Sequence, residues 1–180
     1  MSPREFLHLG SRAAVDQAFS RLTTSGQLLR AARGVYVVPV EGKFGKRPPA
    51  PEKVIESIAR QSGEKVVPHG SHAANHLRLT QQVPVRSIYL TSGRSRKMRL
   101  GKAEVELQHA PSWMLGLGLG NEPAGGAVRA LVTMGPAHVT EALQTLHKSL
   151  SSTDWESLKA ARARVPTWLG RAISMEEARV

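Results

Sequence analysis

The apolar residues near the start of the chain recur at the spacing of an amphipathic helix. Between positions 11 and 22 they fall at i, i+3, i+4 and i+7, and this buried stripe is predicted to contain Val15, Ala18, Phe19 and Leu22. Ser11 stands ahead of the stripe as a capping residue, and Gly26 follows it as a stop signal. The pattern predicts a helix with one face in a core.

Further signals lie on either side of that helix. Residues 3–9 are predicted to form a shorter helix, because Ser2 can cap it, proline occupies its first position and Glu5 follows three residues after the cap. Residues 28–38 read as a strand hairpin, with its turn at Arg33-Gly34. The predicted order is helix, turn, helix, hairpin.

The rest of the chain mixes the helical period with strict alternation. Helices are predicted at 52–62, 71–77, 123–134, 137–150, 153–163 and 166–178. Strands are predicted at 65–67, 86–91, 96–100 and 103–109, with a turn at Gly101 and Lys102 between the last two. Such a mixture predicts an α+β fold.

We expect two structured units. The first, 1–39, has the element order of a winged helix-turn-helix. Residues 40–51 are rich in proline, glycine and basic residues and predict a linker. The second unit, 52–180, is expected to be a mixed α+β domain that ends in a helical bundle.

A winged helix needs one further helix packed against the two predicted here, and this sequence starts at the second of the three. Either the natural chain begins upstream of Met1, or something else covers that face. An apolar surface left exposed there would weaken the unit.

The charge distribution points to a polyanionic partner. The formal net charge is +11, and residues 1–50 and 51–110 each contribute +5, whereas the last seventy contribute +1. A basic excess of this size favours nucleic acid as the partner and places the contact within the first 110 residues.

The polar side of the predicted second helix suits a DNA groove. Gln17 can bond adenine, Arg12 or Arg21 can reach guanine or phosphate, and basic residues of the hairpin and linker can hold phosphates. The predicted DNA-binding residues are Ser11, Arg12, Gln17, Ser20, Arg21, Arg30, Arg33, Lys43, Lys46 and Arg47. The alternative is a structural helical hairpin whose charges are simply solvated.

A second basic cluster lies in the segment GRSRKMRLGK and contains Arg94, Arg96, Lys97, Arg99 and Lys102. Because alternate residues of a strand share a face, Arg94, Arg96 and Met98 are expected on one side and Lys97 and Arg99 on the other. The cluster would suit DNA, RNA or an acidic toxin surface. The alternative is an edge strand that charge protects from aggregation.

The remaining sequence motifs do not predict a metal site, a phosphate loop or a catalytic site. His69, His72 and His76 have helical spacing, but the chain has no cysteine and no acidic residue close to them, so we expect no metal. The glycine-rich segment 116–126 lacks the phosphate-loop pattern and is expected to provide a flexible connection before the helix that begins at Pro123. No catalytic set emerges, and we expect neither enzyme activity nor a cofactor.

The N-terminus lacks the apolar core of a signal peptide, and no long apolar run predicts a membrane span. We therefore expect a cytoplasmic protein without a membrane partner.

Two blocks resemble a known family: FLHLGSRAAVDQAFSRLTTSGQLLRAARGVYVVP and VVPHGSHAANHLRLTQQVPVRSIYLTSGRSRKMRLGKAEVELQHAP. They are similar to the AbiEi-type antitoxins of type IV toxin–antitoxin systems, which act in phage defence. The resemblance implies a winged helix that represses its own operon by binding operator DNA. It also implies a C-terminal domain that counters a nucleotidyltransferase-like toxin. An interaction module that neutralises a toxin by direct contact, without binding DNA, is the alternative.

Overall fold

The computed structural model describes residues 1–43, 45–115 and 123–179 and has a mixed α+β architecture. The chain forms two compact units. The N-terminal unit is Met1–Glu64 with Ser95–Glu106, and the C-terminal unit is Lys65–Arg94 with Leu107–Val180. Residues 116–122 of the predicted glycine-rich connection lie outside the described residues.

Most predicted elements are present, with small shifts at their ends. The helices are a 3-10 helix (Pro3–Leu9), α1 (Arg12–Thr24), α2 (Pro51–Ser62), α3 (Gly70–His76), α4 (Pro123–Met134), α5 (Val139–Ser149), α6 (Ser152–Ala160), a 3-10 turn (Ala161–Ala163) and α7 (Thr167–Glu177). The strands are β1 (Leu29–Ala32), β2 (Val35–Val37), β3 (Val40–Gly42), β4 (Gly45–Arg47), β5 (Val66–Pro68), β6 (Ser87–Thr91), β7 (Arg96–Leu100) and β8 (Ala103–His109).

The first helix begins as its sequence predicts. The Ser2 hydroxyl accepts a hydrogen bond from the backbone of Arg4, and the Glu5 carboxylate accepts one from the Ser2 N–H at 2.7 Å. This reciprocal pairing satisfies N–H groups that have no partner inside the helix. The Ser11 hydroxyl likewise accepts from the backbone N–H of Ala14 and caps α1.

A small aromatic cluster holds α1 against its neighbours. The Phe19 ring makes edge contacts with Phe6 of the 3-10 helix, at 5.4 Å between centroids, and with Tyr36 of β2, at 4.9 Å. Val15 and Leu28 are buried beside them. Phe19 therefore joins all three elements of this region.

The predicted burial of Ala18 is wrong. Ala18 is exposed and lines an open apolar groove of about 510 Å³ together with residues such as Phe6, Leu9 and Leu22. The 3-10 helix and the hairpin pack on the side of α1 that carries Val15 and Phe19, whereas Ala18 lies on the adjoining side. Apolar character alone did not distinguish the two sides.

The division into units differs from the predicted 1–39, 40–51 and 52–180. The segment read as a linker forms an exposed antiparallel hairpin, β3–β4, in which Val40 pairs with Arg47 and Glu41 with Lys46. Residues 95–106 join the N-terminal unit, where β7 packs beside β1 and the turn at Gly101 lies against Pro48.

The C-terminal unit combines a small sheet with the expected helical bundle. Strand β6 lies between β5 and the end of β8, and Val66 pairs with Thr91 in the antiparallel β5–β6 ladder. The bundle core is built by α4 to α7, whose fully buried side chains include Leu131, Leu143, Leu146, Leu158, Leu169 and Ile173.

Helices α3 and α4 approach very closely at Gly70. A Cβ atom at this position would overlap the carbonyl oxygen of Arg129 and the hydroxyl of Thr133. Glycine is therefore required where the two helices meet.

The side chain of Arg129, on α4, is 2% exposed. Desolvation lowers the pKa of its guanidinium to about 10, so the group stays charged at neutral pH.

Among the described residues, the structure contains no helix with the length and apolar character needed to cross a membrane.

Candidate nucleic-acid interface

The ten predicted DNA-binding residues all belong to the N-terminal unit, and all are exposed. In α1, Gln17, Ser20 and Arg21 fall at i, i+3 and i+4 and therefore share one face. Ala13 and Thr24 are exposed on the same side. The result is a polar face with small residues at both ends, opposite the side that packs on the aromatic cluster.

The β1–β2 hairpin stands beside α1 and carries two of the predicted cations. Arg30 pairs with Tyr36 across the ladder, and the register shifts between Arg30 and Ala32. Gly34 in the turn has a φ of 73°, a conformation that favours glycine. The backbone of Tyr36 also exchanges hydrogen bonds with Met1, both at 2.9 Å, which ties the hairpin to the N-terminus.

Between these elements lies a polar concavity of about 690 Å³, which we call the arginine hollow. Its charged lining residues are Arg4, Arg12, Arg30, Arg33 and Asp16. Arg4 comes from the 3-10 helix, Arg12 from α1, and the other two arginines from the hairpin. The sequence prediction missed Arg4, because nothing local to PREFL shows that this residue lines the same concavity as the hairpin.

Arg12 is held in the hollow by a neighbour one helical turn away. Its Nε donates to Oδ2 of Asp16 at 2.8 Å, and the side chains are 55% and 49% exposed. Exposed pairs of this kind stabilise a fold by well under about 1 kcal/mol. The contact therefore matters more for the orientation of Arg12 than for folding.

The β3–β4 hairpin displays the other predicted DNA-binding cations. Lys46 and Arg47 lie on β4, and Lys43 lies in the connection between the strands. Glu41 is directly opposite Lys46 in the ladder, so this hairpin carries one acidic residue among its three cations.

The second basic cluster is arranged differently from its prediction. Arg96 is half-buried and shares a face of β7 with the buried Met98 and Leu100, so it does not belong to an exposed basic surface. Its guanidinium donates to both carboxylate oxygens of Glu64, at 3.1 and 2.8 Å. Alternation along the strand was correctly predicted, but the partner of Arg96 lies 32 residues away in sequence.

The outward residues of this cluster form a smaller surface in the N-terminal unit. Lys97, Arg99 and Lys102 are exposed there, and Lys97 lies 3.4 Å from the Glu104 carboxylate across the hairpin. We call these three cations the β7–β8 basic surface. Arg94 is exposed in the C-terminal unit.

Two of the three histidines make separate local contacts, and His76 is exposed in the last turn of α3. His69 caps α3 and bonds the Ser71 hydroxyl through Nδ1 at 2.9 Å, whereas His72 Nε2 meets the carbonyl of Arg86 at 3.1 Å. Burial, and secondarily the nearby His72, lowers the pKa of His69 below its ordinary value. Within 1–43, 45–115 and 123–179, no three His, Asp or Glu side chains form a group that would hold a metal ion.

Comparison with known proteins adds a family assignment. A family model described as "Family of unknown function (DUF6088)" matches residues 1–158. The chain belongs to the DUF6088 family. The part that matches DUF6088 includes the whole N-terminal unit, with the arginine hollow and the β7–β8 basic surface, and extends into α6. No curated protein and no solved structure matched the chain.

Proposed function

We propose that this protein is a DNA-binding repressor of its own operon, without catalytic activity. In this proposal the 3-10 helix, α1 and the β1–β2 hairpin act as a winged helix-turn-helix, with α1 in the major groove and the hairpin as the wing. The observation that carries it is the exposed polar face of α1, directly beside a hollow lined by four arginines.

In this proposal one set of residues reads base edges and another contacts phosphates. Gln17, Ser20 and Arg21 lie on the face that would meet base edges, where side-chain amides and guanidinium groups discriminate between base pairs. The exposed cations of the β1–β2 and β3–β4 hairpins would contact phosphates, which sets position and affinity but not sequence.

We further propose that the protein is the antitoxin of a type IV toxin–antitoxin system and acts against a nucleotidyltransferase-like toxin. The support for this part is the resemblance of the two long sequence blocks to AbiEi-type antitoxins. A neighbouring gene that encodes such a toxin is the simplest independent evidence.

Gln17→Ala tests the base-reading role. We expect binding to the DNA upstream of the gene to weaken by about 1–3 kcal/mol, because a bidentate amide contact to a base is lost. Binding to an unrelated duplex should change little, because that binding depends on phosphates. Fluorescence anisotropy with the two labelled duplexes at one salt concentration measures both values.

Gln61→Ala is the matched control, since Gln61 is an exposed glutamine on α2 in the same unit. It should leave both affinities unchanged. If Gln17→Ala lowers the affinity for both duplexes equally, or for neither, α1 does not read the base sequence.

A second function, direct neutralisation of the toxin, is favoured by the β7–β8 basic surface. Its three exposed cations lie on a short hairpin that would suit an acidic protein partner. DNA binding and toxin contact would then use different surfaces of the N-terminal unit.

Arg99→Glu combined with Lys102→Glu tests this second function. We expect the double variant to lose co-purification with the toxin and protection from it, because two attractive charges become repulsive. Arg96 is left intact, because its replacement would break the ion pair with Glu64. The control is Lys53→Glu with Arg60→Glu, which makes the same charge change on α2; equal losses in both double variants would rule out a specific surface.

A further inference from the structure

The arginine hollow brings together cations from three separate elements of the chain. Four guanidinium-bearing residues line it, and Asp16 is the acidic residue among its lining residues. One acidic side chain offsets only part of the charge of four arginines, so the hollow presents a positive surface that favours an anionic ligand.

The chemistry of the lining fits a phosphate group. A guanidinium is planar and presents paired donors that match two phosphate oxygens at once. Because the Nε of Arg12 donates to Asp16, both of its Nη groups remain available to a ligand. Asp16 thus acts as a positioning residue for Arg12.

The position of the hollow favours a phosphate that belongs to a DNA strand. Asp16 lies three residues from Ala13 and four from Ser20 of the polar face, and residues at these spacings are neighbours on a helix surface. An α-helix with its side chains is about 10–12 Å across, so a phosphate in the hollow and a base edge at Gln17 would both lie within one helix width. The DNA strand and α1 would then be fixed relative to each other.

We infer that the arginine hollow seats one phosphate of the DNA backbone between the hairpin and α1. This inference rests on the proposed DNA-binding function. It adds Arg4 to the interface. Because the hollow would position the DNA without reading its sequence, loss of a hollow arginine should weaken binding to every sequence equally.

The test measures the affinity of full-length Arg4→Ala and Arg33→Ala for the upstream duplex and an unrelated duplex over a series of salt concentrations. Each variant should weaken binding to both duplexes by about tenfold, the effect of losing a charge-assisted contact. Each should also reduce the slope of log K against log salt by about one. Arg4→Lys should recover part of the affinity, because it restores the charge but not the paired donors.

Arg60→Ala is the control, because it removes an exposed arginine from α2 in the same unit. It should leave the affinity and the slope unchanged. If Arg4→Ala and Arg33→Ala behave like this control while the unmodified protein binds DNA, the inference fails and the proposed function stands. If the unmodified protein binds neither duplex, the proposed function fails.

A competition experiment distinguishes a strand phosphate from a free one. Millimolar ATP and sodium sulfate at matched ionic strength should displace labelled DNA equally if the hollow serves the backbone. Displacement by ATP beyond that of sulfate, abolished by Arg4→Ala, would assign the hollow to a free phosphate compound and overturn the inference.

Discussion

Phe19→Ala is expected to destabilise the N-terminal unit by about 3–5 kcal/mol, the usual cost of truncating a buried aromatic ring. Phe19 is 5% exposed and contacts the rings of Phe6 and Tyr36. Its loss would release the 3-10 helix and the hairpin from α1 together. DNA binding should fall to the limit of detection, because the arginine hollow depends on the same three elements.

Hydrogen exchange on the full chain measures this effect residue by residue. Backbone amides of α1 and of the β1–β2 hairpin should lose protection in Phe19→Ala, whereas those of the bundle helices α4 to α7 should keep it. Phe19→Leu is the control, because it retains most of the apolar volume and should cost less than about 1.5 kcal/mol. Unchanged protection of α1 in Phe19→Ala would contradict the role of the aromatic cluster.

Gly70→Ala is expected to destabilise the C-terminal unit by about 3 kcal/mol, at the upper end of the usual cost of overpacking. The added Cβ would meet the backbone carbonyl of Arg129, which cannot move without displacing α4. Thermal or denaturant unfolding should show the loss. Protection from hydrogen exchange should fall first in α3 and α4.

Gly126→Ala is a sharp control for this prediction, because Gly126 is also a glycine of the C-terminal unit. A Cβ there would lie 3.8 Å from the Cβ of Ala73, an ordinary van der Waals distance. Alanine also favours the helical backbone over glycine by about 1 kcal/mol. Gly126→Ala should therefore be neutral or stabilising, and equal effects of the two variants would contradict the close approach at Gly70.

Much of the local structure could be predicted because its causes lie within a few residues. The capping box of Ser2 and Glu5 and the caps and turns at Ser11, Gly34 and Gly101 act on backbone groups close in sequence. Such signals place the ends of helices and hairpins without knowledge of the rest of the chain.

The candidate site could be predicted only in part, because its geometry depends on contacts between distant segments. The exposed face of α1 follows from helical spacing. Three features depend on packing between distant segments: the placement of Arg4 and Arg33 around one hollow, the pairing of Arg96 with Glu64 and the open groove beside Ala18. The same is true of residues 95–106, which join the N-terminal unit through contacts that no local pattern encodes.

The salt dependence of DNA binding by the unmodified full-length protein tests the central claim most directly. Affinity for the duplex upstream of the gene should exceed that for an unrelated duplex at every salt concentration. Its logarithm should fall with log salt with a slope of about −4 or steeper, as expected when five or more cations contact phosphates. Equal affinity for both duplexes, or a slope near zero, would contradict the proposal of a sequence-reading helix beside a phosphate-binding hollow.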